Sequence, residues 1–165
     1  MSGVIVKVIR EDLKKVDAEA LIVGFFQDIR PLKGAAGQLD WLLCGSLSNL
    51  LLKKKLKGVL GDVALLTSQG KVPPQKIFLV GLGTKAGFSS LSLRTAAKIA
   101  SASVLGTGVS NAAMEYFQVQ GVLTKETVPA FREGLEEGAG KRSLNISLIA
   151  QDEAAYDQLL KLTMS

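Results

Sequence analysis

At ~150 residues per domain, the 165-residue chain is expected to form one domain over 1–165, and 47% hydrophobic against 21% charged residues exclude a disordered, collagen-like or low-complexity chain. The absence of His and the single cysteine, Cys44, exclude a histidine general base, a Cys/His zinc cluster and a disulfide framework. Residues 1–125 carry 16 basic and 8 acidic side chains and residues 126–165 carry 4 and 7, so the first part, at +8, suits a nucleic acid or a small anion as partner and the tail, at −3, does not.

Val4, Ile5, Val6, Val8 and Ile9 form a short β-branched run, which predicts a strand buried on both faces. A second strand is expected over Ala20–Phe26. Glu11–Glu19 between them is polar, and predicts a hairpin or a brief helical turn. From Leu39 the spacing changes: Leu39, Leu42, Leu43, Leu47, Leu50 and Leu51 recur by three and four, which predicts one amphipathic helix. Gly34-Ala35-Ala36-Gly37 lies at its entry, and Lys53-Lys54-Lys55-Leu56-Lys57 ends it, with Gly58 as a left-handed cap. Trp41 falls opposite the leucine stripe, either under a loop or exposed to a partner, and Cys44 reads as a small core residue.

Val63–Leu66 and Ile77–Val80 predict strands three and four around the turn-forming Gly70-Lys71-Val72-Pro73-Pro74. Ser89 or Ser90 caps the next helix, which Gly106 stops. A fifth strand is expected over Asn111–Phe117, a helix from Glu126 to about Gly138, a sixth strand over Leu144–Ala150 and a final helix over Glu153–Leu162. Strands alternating with helices predict a three-layer α/β/α sandwich around a mixed, roughly six-stranded sheet, whose ligands would gather at the carboxyl ends of the strands. No apolar stretch approaches the ~20 residues that span a bilayer, and Met1–Arg10 lacks a signal-like apolar core. A cytoplasmic protein is expected.

Two glycine-rich segments have the character of anion cradles, in which backbone N–H groups approach a phosphate at a helix start. One is Gly81-Leu82-Gly83-Thr84-Lys85-Ala86-Gly87, whose spacing departs by one residue from GxGxxG; the alternative is a tight turn at a sheet edge. The other is Gly34–Gly37, for which the alternative is close helix packing. Glu11, Asp12, Asp17 and Glu19 cluster in one connection, as solvated loop charges or as an acid/base or metal set. Lys53, Lys54, Lys55 and Lys57 are either a solvated helix end or a phosphate-backbone contact, which would be weak, sequence-independent and salt-sensitive.

Asp17–Gly24, Gly34–Asp40, Lys57–Leu66 and Lys76–Gly83, continued by Arg94–Lys98 and Glu136–Ala139 in the same order, resemble the N-terminal domain of the leucyl (cytosol) aminopeptidase family over most of the chain. The resemblance implies a macro-domain-like fold. That family's two metals and its catalytic lysine and arginine lie in a second, C-terminal domain, and the sequence ends at Ser165 without it. No catalytic residue, metal or cofactor is therefore expected here, and the function implied is a non-catalytic regulatory or assembly module with a protein partner or a second copy. The macro-domain relation implies an alternative, a nucleotide or ADP-ribose binder, with Asp12 after the first strand reading adenine and Gly34–Gly37 as the phosphate loop. Gly24-Phe25-Phe26 departs from the Asn-Ala-Asn usual after the second strand. Bacterial family members that bind DNA imply a third reading. The candidate ligand positions are thus Asp12, Gly24, Gly34, Ala35, Ala36, Gly37, Gly81 and Gly83, and the candidate nucleic-acid positions Lys53, Lys54, Lys55 and Lys57.

Overall fold

The computed structural model describes residues 3–117 and 127–163. Six strands form one sheet: β1 (Gly3–Arg10), β2 (Ala20–Phe25), β3 (Val63–Thr67), β4 (Lys76–Gly81), β5 (Asn111–Met114) and β6 (Ser143–Ala150). Their spatial order is β1-β6-β5-β2-β4-β3. All neighbours are parallel except β3 and β4, which form an antiparallel pair. The sheet is mixed for that reason, and not because of the first two strands. β1 and β2 share the sheet but do not pair, and their connection carries a 3-10 turn at Leu13–Lys15 in place of a hairpin.

Among the described residues five helices cover the two faces: α1 (Gly34–Leu42), α2 (Ser46–Leu52), α3 (Ser90–Gly106), α4 (Thr127–Ala139) and α5 (Glu153–Thr163). The period-2 alternation of the central strands sends Ala20, Ile22, Phe78 and Val80 into the core under α3 and α4. Their sequence neighbours Leu21, Val23, Ile77 and Leu79 enter a second core with α1, α2 and the 3-10 turn. Both layers therefore follow from one geometric fact, that successive strand side chains point to opposite faces. β1 departs from the expected two-sided burial, since it lies at the sheet edge and leaves Ile5 62% exposed.

The single helix expected from Leu39 onward is two. Cys44 (φ 57°) and Gly45 (φ 81°) both adopt the left-handed conformation, which interrupts the i to i+4 ladder between α1 and α2. Cys44 is exposed at this break and is not a core residue. α2 is closed by Lys54 (φ 56°), four residues before Gly58: the N–H of Lys55 donates to the Leu50 carbonyl at 3.0 Å and that of Lys54 to Leu51 at 3.1 Å. Ser89 caps α3 in a reciprocal box with Ser92, as the sequence predicts. The expected start of α4 at Glu126 lies outside the described residues.

α3 and α4 cross almost backbone to backbone. A Cβ on Gly134 would overlap the Arg94 carbonyl oxygen, and one on Gly138 the Ser101 hydroxyl and the Lys98 carbonyl. Arg94 bridges to Glu133 at 3.5 Å and to Glu137 along the rim of this crossing. Such exposed pairs contribute little stability, so burial of Leu93, Ala97, Phe131 and Leu135 is what holds the helices.

Candidate functional site

The carboxyl ends of the parallel strands meet at one end of the sheet, where the sequence places most of the candidate positions. Three loops interlock there. After β4, the Leu82 N–H donates to Phe25 O, the Gly83 N–H to Gly58 O, and the Gly83 carbonyl accepts from the Gln27 N–H, each at 2.9 Å. Gly81 has no space for a side chain, because a Cβ there would overlap the Val59 carbonyl oxygen. Gly83, at φ 81°, turns the chain away. Asp28 then accepts from the Lys85 backbone N–H at 3.0 Å, tying the loop after β2 to the loop after β4. The glycines at 81 and 83 thus sit in backbone-to-backbone contact with neighbouring loops.

Gly24 faces two apolar side chains. A Cβ there would come within 2.8 Å of Phe117 Cδ1 and 2.9 Å of Leu82 Cδ1; both residues are buried. The Phe26 ring lies edge-on to Phe88 with centroids 5.3 Å apart, a favoured aromatic geometry. The neighbouring Tyr116 is buried, its hydroxyl within 3.2 Å of the Thr127 hydroxyl at the start of α4. Burial pushes its phenol pKa up, partly opposed by that hydrogen bond.

α1 brings its amino end to the same place. Gly34, Ala35, Ala36 and Gly37 are its first turn and not a loop before it. The Ala35 N–H donates to both carboxylate oxygens of Glu115, at 3.2 and 3.1 Å, and Gly34 (φ 59°) would place a Cβ 2.8 Å from Glu115 Oε1. The position where a helix amino end attracts an anion therefore holds a carboxylate of the chain itself. Gly37 serves packing, since a Cβ there would press on the Leu32 carbonyl at 2.6 Å. Burial raises the Glu115 carboxyl pKa above its ordinary value, and the Ala35 hydrogen bond offsets part of that rise. Glu115 also ends the predicted fifth strand early. β5 stops at Met114, and Glu115, Tyr116 and Phe117 leave the sheet for α1, α4 and Gly24.

Asp12 stands apart from these loops. Its Oδ1 accepts from the Lys14 backbone N–H at 2.9 Å, capping the 3-10 turn. It lines an open cavity of about 320 Å³ with Lys14, Gln38, Trp41, Leu42 and Gln151, and Trp41 is 77% exposed there. Glu11 Oε1 accepts from the Asp12 backbone N–H at 3.0 Å, but among the described residues no three acidic or cysteine side chains gather as a metal set would.

The basic residues are dispersed. Lys53, Lys54, Lys55 and Lys57 are exposed after α2. Lys57 precedes Gly58, which packs against Phe25 and Gln27 at the strand ends. Lys85 follows the carboxyl end of β4, whereas Lys76 opens that strand and Lys71 precedes it. Sequence reasoning did not find Glu115, Phe117 or the cavity face of Trp41. An acid directly after a short apolar strand was the available signal for Glu115, since Gly34–Gly37 offered it a partner.

A model of the cytosol aminopeptidase family, N-terminal domain, matches residues 22–140. The probable cytosol aminopeptidase of Geobacter sulfurreducens is 30% identical over 135 residues, covering 81% of this chain and 27% of that protein. The chain thus spans about a quarter of that relative's length. Tomato leucine aminopeptidase superposes with a TM-score of 0.69 at 21% identity, over 90% of this chain and 33% of that one. A Trypanosoma brucei macrodomain solved with ADP superposes at 0.68 with 15% identity, over 96% of this chain and 68% of that one. At these identities the two structures show a shared macrodomain-like fold.

Proposed function

Because the chain belongs to the cytosol aminopeptidase family, matching its N-terminal domain, we propose that it acts as a non-catalytic assembly or regulatory module, working in the cytoplasm by docking to a protein partner or to a second copy. The observation that carries this reading is the open edge of the sheet. Among the described residues β3 pairs only with β4, so its other edge offers unpaired backbone groups. Its side chains Val63 and Leu65 are exposed. Exposed apolar side chains beside a free edge favour strand addition or helix docking. The strand-end loops, by contrast, spend their glycines and their helix amino end on internal partners.

Sedimentation of the chain alone, and mixed with a full-length cytosol aminopeptidase, tests this. Self-association or a mixed complex is expected, and Leu65→Lys should abolish it; a monomer that ignores the aminopeptidase overturns the reading. No turnover of a leucyl chromogenic substrate above a metal-only blank is expected with manganese or zinc added, since two-metal hydrolysis needs clustered carboxylates. Turnover that is lost on substituting an Asp of this chain would contradict it.

The cavity that joins Asp12 to Trp41 favours a second reading, a weak nucleotide or ADP-ribose binder. A carboxylate accepting from an adenine amino group contributes ~1.5–3 kcal/mol, so Asp12→Ala should weaken ADP-ribose about tenfold to a hundredfold by calorimetry. Affinity insensitive to Asp12 removes this reading. The DNA reading draws less support, because the lysines are divided between the two ends of β4 and form no common stripe.

A further inference from the structure

The loop between β3 and β4, at the amino end of the parallel strands, holds a different set of groups. Ser68 and Lys71 bracket a tight turn in which Gln69 (φ 56°) and Gly70 (φ 76°) are both left-handed, and the Lys71 N–H donates to Ser68 O at 3.0 Å. The Ser68 N–H donates to Gln75 O at 3.0 Å, closing the base of the loop. Val72 is buried in the core beneath α1 and α2, and Pro73-Pro74 fix two further φ angles. These bonds and the two prolines restrain the loop's backbone.

It borders an open cavity of about 410 Å³, whose lining includes Ser68, Gly70, Lys71 and Gln75 together with Lys14 from the connection between β1 and β2. Ser68 is only 3% exposed. Its hydroxyl makes no hydrogen bond among the described residues, and the residue lines the cavity. Neither Lys14 nor Lys71 forms an ion pair among the described residues. Among the described residues no carboxylate lines the cavity. Two exposed lysines from separate elements, a serine and a glutamine thus line one space, and neither lysine has an ion-pair partner among the described residues.

From this arrangement we infer that the β3–β4 loop and Lys14 form a binding site for the phosphate group of a small phosphomonoester. A tetrahedral oxyanion offers three oxygens in separate directions, which suits point-charge lysines approaching from two elements and a hydroxyl from below. The volume exceeds what a bare phosphate fills, so the attached group has room beside Gly70, where a Cβ would meet no atom within 4 Å. This site lies on the opposite end of the sheet from the strand-end loops and stands whether or not the chain docks to a partner.

The test uses the intact chain labelled with ¹⁵N and titrated with phenyl phosphate and with inorganic phosphate, against chloride at matched ionic strength. Saturable shifts of the Ser68, Gly70 and Lys71 amides with both phosphates, and none with chloride, are expected. Phenyl phosphate should bind at least as tightly as inorganic phosphate. Lys14→Gln and Lys71→Gln should each weaken it about tenfold, the loss of one charge-assisted hydrogen bond, and Ser68→Ala should weaken it by a smaller factor. Lys53→Gln, remote in the sequence and outside the cavity lining, should leave affinity unchanged. Shifts that chloride reproduces, shifts that do not saturate, or equal losses from Lys53→Gln and Lys71→Gln would each overturn the site.

Discussion

The two ends of the parallel strands are built from similar materials, glycine turns with a few charged and hydroxyl side chains, and use them in opposite ways. At the carboxyl end the loops after β2, β4 and β5 satisfy one another: backbone meets backbone at Gly58, Gly81 and Gly83, and Glu115 takes the N–H that α1 offers. At the amino end the β3–β4 loop is closed by the Ser68–Gln75 and Lys71–Ser68 backbone bonds, and Ser68, Lys14 and Lys71 line an open cavity. A glycine-rich loop is therefore no guide to a ligand by itself. What distinguishes the ends is whether the donors already have protein acceptors.

The same substitution at the two ends should expose this contrast most strongly. Gly81→Ala forces a methyl group against the Val59 and Gly58 backbone, neither of which is a flexible side-chain end, and should cost ~3 kcal/mol, the upper part of the overpacking range. A lowered urea midpoint with an unchanged m-value would show it. Gly70→Ala meets open space and should cost only about 1 kcal/mol, for holding alanine in the left-handed region. Equal losses at the two positions would erase the distinction.

A subtler effect belongs to Glu115. Its carboxyl pKa is raised in the folded chain, so between the ordinary and the raised value the native state binds more protons than the unfolded state. The stability this group contributes is full below the ordinary glutamate pKa and is lost as pH rises through the folded value. Glu115→Gln does not titrate and can still accept from Ala35. Its melting temperature relative to the wild type should therefore be higher at pH 7 than at pH 4. A difference that is flat with pH would mean that the Ala35 hydrogen bond cancels burial, and one that reverses that it outweighs burial.

The fold was legible wherever one period dominated. Ala20–Phe25 and Ile77–Gly81 are continuous apolar runs because α-layers cover both of their faces, and such runs announce themselves. The edge strand β1 was misjudged for the same reason in reverse, since a β-branched run does not say whether a helix covers it. The break between α1 and α2 was hidden because Cys44, a residue that rarely adopts positive φ, takes the left-handed turn beside Gly45. The end of α2 was misplaced by four residues because Lys54, and not a glycine, closes it. Site groups were harder still. Glu115 reaches Ala35 across 80 positions, and Lys14 shares a cavity with Ser68 and Lys71 from a separate connection. Local pattern carries no information about such distant meetings; only the strand order β1-β6-β5-β2-β4-β3 brings them together.

The carboxylate at the start of α1 also makes a single amide into a clock. The Ala35 N–H is protected only while Glu115 holds it, because the first amides of a helix have no intrahelical acceptor. Its exchange with solvent deuterium should therefore follow the opening of the segment after β5 and not the unwinding of α1. Amides deeper in the helix, such as that of Leu39, answer to a larger unfolding event. The ratio of the two exchange rates separates detachment of this one segment from loss of the whole layer.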